Sequence, residues 1–166
     1  LYPVNPNGPV SPSTPVAPIA LPDSVGEWKQ AGDLRVRLLA PRVGRVQLRD
    51  FFGNVVESRE TFLILEMDIQ NANPSQSMAF RVPPFGQPFT LRDETGRGVE
   101  QEFAGGEVVG ALRSPATIGA GMSTRHIELF KKPSRNPARF TLDLDTAVFG
   151  QSQDLSFTIL QSSIQR

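Results

Sequence analysis

A chain of 166 residues, 39% of them hydrophobic, is long enough for one domain with a sizeable core and too apolar for a disordered polymer. Seventeen basic and seventeen acidic residues cancel, so the chain lacks the basic excess that marks a nucleic-acid surface. The absence of cysteine excludes disulfides, thiolate catalysis and thiolate metal sites together, and no apolar run reaches the ~18 residues that a membrane-spanning helix needs.

The first element is LYPVNPNGPVSPSTPVAPIALP, in which Pro3, Pro6, Pro9, Pro12, Pro15 and Pro18 keep an unbroken period of three. Proline holds φ near about −65° and extends the residue before it. Polyproline II has about three residues per turn, so these prolines share one edge of an arm roughly 50 Å long. Residues 1–26 are read as this arm and residues 27–166 as the folded domain. A shaped arm is expected to lie along a partner surface, a spacer role being the alternative. Because the chain begins at Leu1, an export signal is expected to have been removed upstream.

From Asp33 onward the sequence reads in period two, and no window free of Pro and Gly carries a helical stripe. Leu34, Val36 and Leu38 face one way, Arg35 and Arg37 the other, and Pro41 ends the strand. Residues 45–48 resume the pattern. Residues 49–59 read as a hairpin with Phe51-Phe52-Gly53-Asn54 at its tip. Residues 60–71 form the strongest strand, with Leu63, Leu65, Met67 and Ile69 inward. Phe62 and Ile64 predict a cover on its other face too, as for a central strand. Residues 87–93 follow, then a turn over 93–96, and residues 97–103 are expected to return as the hairpin partner carrying Val99 and Phe103. Further strands are predicted over 124–130, 138–145 and 154–161. Connections 72–86 and 104–123 are long and rich in Pro, Gly and Ser, with a weak helical turn over 108–112. The sum is an all-β antiparallel sandwich of seven to eight strands behind the proline-rich arm.

Several strand edges follow a family order. Trp28 with Gly32-Asp33 leads into the first strand, and Glu60 opens an apolar strand ending in Asn71. Phe89-Thr90-Leu91-Arg92-Asp93-Glu94-Thr95-Gly96 is an F-x-L-x-D-x-x-G hairpin. Ile118-Gly119-Ala120-Gly121 approaches a strand closed by Pro133, and Phe140-Thr141-Leu142-Asp143-Leu144 is the penultimate strand. Over residues 28–161 this order resembles the exported bacterial immunoglobulin-like domains of unknown function, often found on lipoproteins and surface proteins. The resemblance implies an immunoglobulin-like sandwich, an extracytoplasmic location in the periplasm or at the cell surface, and a binding or scaffolding role. It assigns no catalytic residue.

Sites of chemistry are sparse. His126 is the only histidine, has no spaced partner for zinc and no Gly-x-Ser-x-Gly elbow, and is expected to be exposed or on an edge strand. Asp143 and Asp145 lie two apart on one strand, where a solvated outer face is the plain reading and a carboxylate site the sharp one. Gly105-Gly106 and Gly119-Ala120-Gly121 lack the Lys-Ser/Thr of a phosphate loop. Arg35, Arg37, Arg42, Arg45 and Arg49 line an outer face with acids nearby. Phe51-Phe52, and Phe85 in Pro83-Pro84-Phe85-Gly86, stand where aromatics make good interface anchors.

No catalytic residue, metal site or cofactor is therefore predicted. The expected function is a non-enzymatic accessory or scaffolding subunit. Its partners would be other protein subunits, of a larger extracytoplasmic or membrane-associated complex, held through Pro3, Pro6, Pro9, Pro12, Pro15, Pro18, Phe51, Phe52 and Phe85. A free-standing glycan or surface-polymer module is the alternative, and a hydrolase built on Asp143 and Asp145 a third reading.

Overall fold

In a computed structural model, which describes residues 23–166, the alternating segments become two facing sheets. The six arm prolines lie outside the described residues. Fourteen strands are present among the described residues. In chain order they are β1 (Trp28–Ala31), β2 (Leu34–Leu38), β3 (Arg42–Gly44), β4 (Gln47–Arg49), β5 (Val55–Glu57), β6 (Phe62–Asn71) and β7 (Met78–Phe80). There follow β8 (Phe89–Asp93), β9 (Gly98–Val99), β10 (Glu107–Val108), β11 (Ala116–Ile118), β12 (Ser123–Lys131), β13 (Arg139–Leu144) and β14 (Leu155–Leu160). All ladders between them are antiparallel. Fourteen is more than the seven to eight expected: seven run four residues or more, and the other seven have only two or three residues.

The first layer is β1-β2-β6-β12, with β3 on the same side of β6 as β2 but at its other end. The second layer is β14-β13-β8-β9. Leu34, Val36, Leu38, Leu63, Leu65, Met67, Ile69 and Phe130 of the first face Phe89, Leu91, Phe140, Leu142, Leu144, Phe157 and Ile159 of the second in one buried core. This is a sandwich, and burial of each aliphatic or Phe side chain contributes about 1.5–3 kcal/mol. The pair β7–β11 adds Met78, Phe80 and Ile118 to the same core.

The central strand β6 is covered on both faces, as Phe62 and Ile64 predict. Those two residues, with Leu129, Val46 and Leu48, form a second core under a small sheet of order β10-β4-β5. The predicted helical turn over 108–112 does not form. Glu107 and Val108 instead pair with Arg49 and Leu48, because the strand edge of β4 offers those backbone groups partners that an isolated turn would leave to water.

The two long connections are ordered around a buried polar residue. The Asn71 amide donates to the carbonyls of Gln76 at 2.7 Å and of Ile118 and Gly119 at 3.2 Å each, and its Oδ1 accepts the Asn73 N–H at 3.0 Å. One side chain thus ties residues 72–77 to residues 118–119 without leaving a buried polar atom unmatched.

Candidate interaction surface

His126 is buried rather than exposed, although β12 does end its layer. The reason is which face counts as inside. Ile127 and Leu129 turn toward the second core, so His126 and Glu128 face the space between the main sheets. The Leu112 N–H donates to His126 Nδ1 at 3.0 Å, which leaves the ring proton on Nε2. Nε2 then donates to Glu128 Oε1 at 3.0 Å, and the Gln101 amide donates to Glu128 Oε2 at 2.5 Å. The Phe89 ring stacks on the imidazole at 4.8 Å. A general base needs a nitrogen free to take a proton from its substrate, and both are occupied. Here His126 joins the connection before β11 to β12.

Asp143 and Asp145 do not form a pair. Asp143 is in an ion pair with Arg92 on neighbouring β8, whereas Asp145 accepts the Ala147 N–H at 3.0 Å and caps a short 3-10 turn over Thr146–Phe149. Among the described residues no three His, Asp or Glu side chains group as metal ligands would. Three of the five arginines on the outer face are ion-paired, Arg37 with Asp68 at 2.6 Å, Arg42 with Glu66 at 3.2 Å and Arg45 with Glu57 at 3.3 Å, while Arg35 donates to Gln70 Oε1 and Arg49 to Gly53 O. Arg35 and Arg37 also lie over the Trp28 ring at 5.0 and 4.7 Å.

Of the exposed large apolar side chains, Phe51, Phe52, Val55 and Val56 lie together on the small sheet. β4 and β5 form the hairpin read from residues 49–59. Asp50 shapes its tip: Oδ1 accepts the N–H groups of Phe52 at 2.9 Å and Asn54 at 2.8 Å, and Oδ2 the Asn54 amide at 3.1 Å. These bonds, that of the Asn54 side chain foremost, hold the Asp50 carboxyl below its ordinary value against the opposing effect of desolvation. Gly53 takes φ +85°, which closes the tip. The result presents Phe51 98% and Phe52 85% exposed, their rings edge to face at 5.7 Å.

β5 is the outer strand of its sheet, and the phase of its ladder is fixed. Ser58 N–H donates to Val46 O at one end and Asp50 N–H to Asn54 O at the other. Between them Leu48 and Val56 are the hydrogen-bonded pair, so Val55 and Glu57 turn their N–H and C=O groups away from β4. Val55 and Val56 are exposed as well. An apolar edge strand with free backbone groups is a template for a further strand.

Phe103 completes the patch. It is 83% exposed, not the inward strand residue expected, because pairing in the β8–β9 hairpin ends with Val99 opposite Leu91. It borders a cleft of about 410 Å³ with Val56, Leu48, Phe62 and Ala104. The segment that follows lies close to β4, since a Cβ on Gly106 would sit 3.1 Å from Arg49 O. The structure thus places Phe51, Phe52, Val55 and Val56 on one hairpin and Phe103 beside Val56 across that cleft; sequence reading missed the two valines and the exposure of Phe103, for which the available signal was the loss of alternation at Ala104-Gly105-Gly106. Phe85 stands apart on the connection between β7 and β8, fully exposed, at φ +61°.

No family model matches the chain, and no curated protein does. Solved structures share its fold. The yjhA protein of Bacillus subtilis superposes with a TM-score of 0.56 at 20% identity, over 83% of this chain and 98% of its own. The "putative lipoprotein" ycdA of the same species has a TM-score of 0.51 at 13% identity, over 86% of this chain and 40% of its own. A conserved hypothetical protein of Bacillus anthracis has a TM-score of 0.50 at 13% identity, over 82% of this chain and 94% of its own. At these identities the likeness is one of fold.

Proposed function

We propose that this protein is a non-enzymatic, extracytoplasmic binding subunit with an immunoglobulin-like sandwich, one that holds a partner protein through the β4–β5 hairpin. The observation that carries the reading is the coincidence of a free strand edge at β5 with Phe51, Phe52, Val55, Val56 and Phe103 around it. The edge suits an extended partner segment, with backbone bonds for affinity and side-chain pockets for selectivity. The proline-rich segment, with its period-three run Pro3 to Pro18, is a second anchor in this reading, and Phe85 an outlying contact. The lipoprotein description of one fold neighbour supports an extracytoplasmic location. Among the described residues no helix is long and apolar enough to cross a membrane.

The test is co-purification of the tagged chain from its native source. The Phe51→Ser/Phe52→Ser variant changes only exposed side chains, so its thermal unfolding is expected to match wild type while partner recovery falls at least tenfold, about the loss of one aromatic anchor. Unchanged recovery refutes the hairpin as the binding surface. The second reading, a glycan or polymer module, draws on a polar cleft of about 350 Å³ bordered by Asp33, Asn73, Gln76, Arg81 and Gln151. Its one aromatic, Phe149, is buried and offers no stacking face; glycan-array binding by the isolated protein would promote this reading.

A further inference from the structure

The cations of this chain are unevenly matched. Arg37, Arg42, Arg45, Arg92, Arg113, Arg125 and Lys131 each have a carboxylate within 4 Å. The other ten do not, and three of these, Lys132, Arg135 and Arg166, border a single cleft of about 350 Å³. No Asp or Glu borders it; the other walls are Val43, Leu63, Pro133 and Ile164, with Ser134, Asn136 and Gln161 as neutral polar groups. Residues 1–22 contain no acidic residue that could neutralise it. The carboxylates that touch the β12–β13 connection and the final segment, Glu94 on the Ala138 N–H at 3.3 Å and Asp23 on the Ser163 hydroxyl, do not border the cleft.

The cleft has fixed walls. On one side, Gln165 N–H donates to Pro41 O and Val43 N–H donates to Gln165 O, each at 2.8 Å, which fastens the final segment along β3. On the other, Gln161 N–H donates to Ala138 O at 3.0 Å. The Arg166 guanidinium reaches across and donates to Asn136 Oδ1 at 2.8 Å. With its amide oriented to satisfy both neighbours, Gln161 donates to Pro137 O at 3.1 Å and accepts from Arg166 Nη2 at 3.3 Å. One nitrogen of the fork is thereby committed to positioning, and the remaining donors stay available.

We propose that this cleft binds a phosphoryl group carried on an organic moiety. Three like charges round one depression repel one another, and an anion of more than one charge offsets that repulsion better than a single carboxylate. Guanidinium forks match phosphate oxygens two at a time, while an ammonium supplies a point charge. The Val43, Leu63, Pro133 and Ile164 walls would receive the apolar or glyceryl part of the ligand. Such a group could come from a soluble phosphate ester or from an anionic lipid headgroup, and the two sources predict different results.

The experiment measures binding of the full chain to pyrophosphate by titration calorimetry. In parallel it measures co-sedimentation with phosphatidylcholine vesicles, with and without phosphatidylglycerol. Wild type is expected to bind pyrophosphate, the mixed vesicles or both, and not phosphatidylcholine alone. Arg135→Gln/Arg166→Gln, both exposed side chains, is expected to lose at least about tenfold in affinity, the value of one charge-assisted hydrogen bond. Lys132→Gln, on the loop alone, gives a smaller loss of the same sign. Arg97→Gln removes an exposed cation at the β8–β9 turn, outside the cleft, and should bind as wild type does. Pyrophosphate binding alone identifies a soluble ester, and vesicle binding alone a headgroup. Binding of neither probe by wild type, or an equal loss in Arg97→Gln, overturns the proposal. The cleft shares no residue with the hairpin, so Phe51→Ser/Phe52→Ser should leave these measurements unchanged.

Discussion

At the scale of single residues, the polar side chains of this protein mostly secure its own backbone. His126→Phe would keep a ring against Phe89 but strip Leu112 N–H of its acceptor and Glu128 of one donor. Each buried group so orphaned costs about 1–3 kcal/mol. The expected result is a lower urea midpoint at unchanged slope, with partner recovery intact; lost recovery with unchanged stability would instead mark His126 as functional. Asp50 gives a pH signature. Its carboxyl lies below the ordinary value because the charged form accepts the hairpin's donors, the Asn54 side chain first. The stabilisation is therefore complete above the unfolded carboxylate pKa of about 3.9 and is lost as pH falls through the lower native value. The amide protons of Phe52 and Asn54 should shift only in that acidic range. A midpoint at or above 3.9 would contradict the hydrogen-bonded tip. Asp93, held down by the Thr95 hydroxyl first and then by the N–H groups of Arg97 and Thr95, should behave likewise at the β8–β9 turn.

At the scale of elements, the edge geometry of β5 makes a sharper test than truncation. Glu57→Pro removes one N–H that points away from β4 and leaves the Leu48–Val56 bonds untouched. Its ion pair with Arg45 is exposed and adds little. Unfolding should move slightly while recovery of an edge-paired partner collapses. If recovery persists, the partner is held by side chains alone. Legibility at this scale followed length. β6, β13 and β14 alternate over six residues and β12 runs for nine, and the sequence shows each of them plainly. Two- and three-residue strands such as β7 and β10 complete no period and were not read; β5 was read only as the return of a hairpin, and the free edge it creates was not. Assigning the face of β12 failed for another reason. Ile127, Leu129 and Phe130 are all apolar because both faces of the layer are covered, and alternation alone cannot then say which side is the core. Phe51 and Phe52 were legible because two adjacent aromatics cannot both enter one face of a strand.

At the scale of the whole molecule, the fold has two cores, one under the main layers and one under the small sheet. The main core joins the two layers, whereas the small sheet rests on five buried residues of its own. Phe62→Ala would thin that second core at a cost of about 3–5 kcal/mol. Faster hydrogen exchange is expected in β4, β5 and β10 than in β13 and β14; uniform acceleration would show the two cores to be one cooperative unit. The larger question is whether the arm and the hairpin act together. Two linked anchors on one partner convert the second contact into an intramolecular one, so losing either should weaken apparent affinity by about a hundredfold or more. Both buried cores lie within residues 23–166, so a chain lacking residues 1–22 retains them and its circular dichroism melt should match the parent. Partner retention through a graded wash is then compared for that chain, for Phe51→Ser/Phe52→Ser and for the combination. Loss in each and abolition in the combination supports two cooperating anchors. Full retention without residues 1–22, with loss in the hairpin variant, reduces the proline arm to a spacer and leaves the sheet edge as the sole anchor.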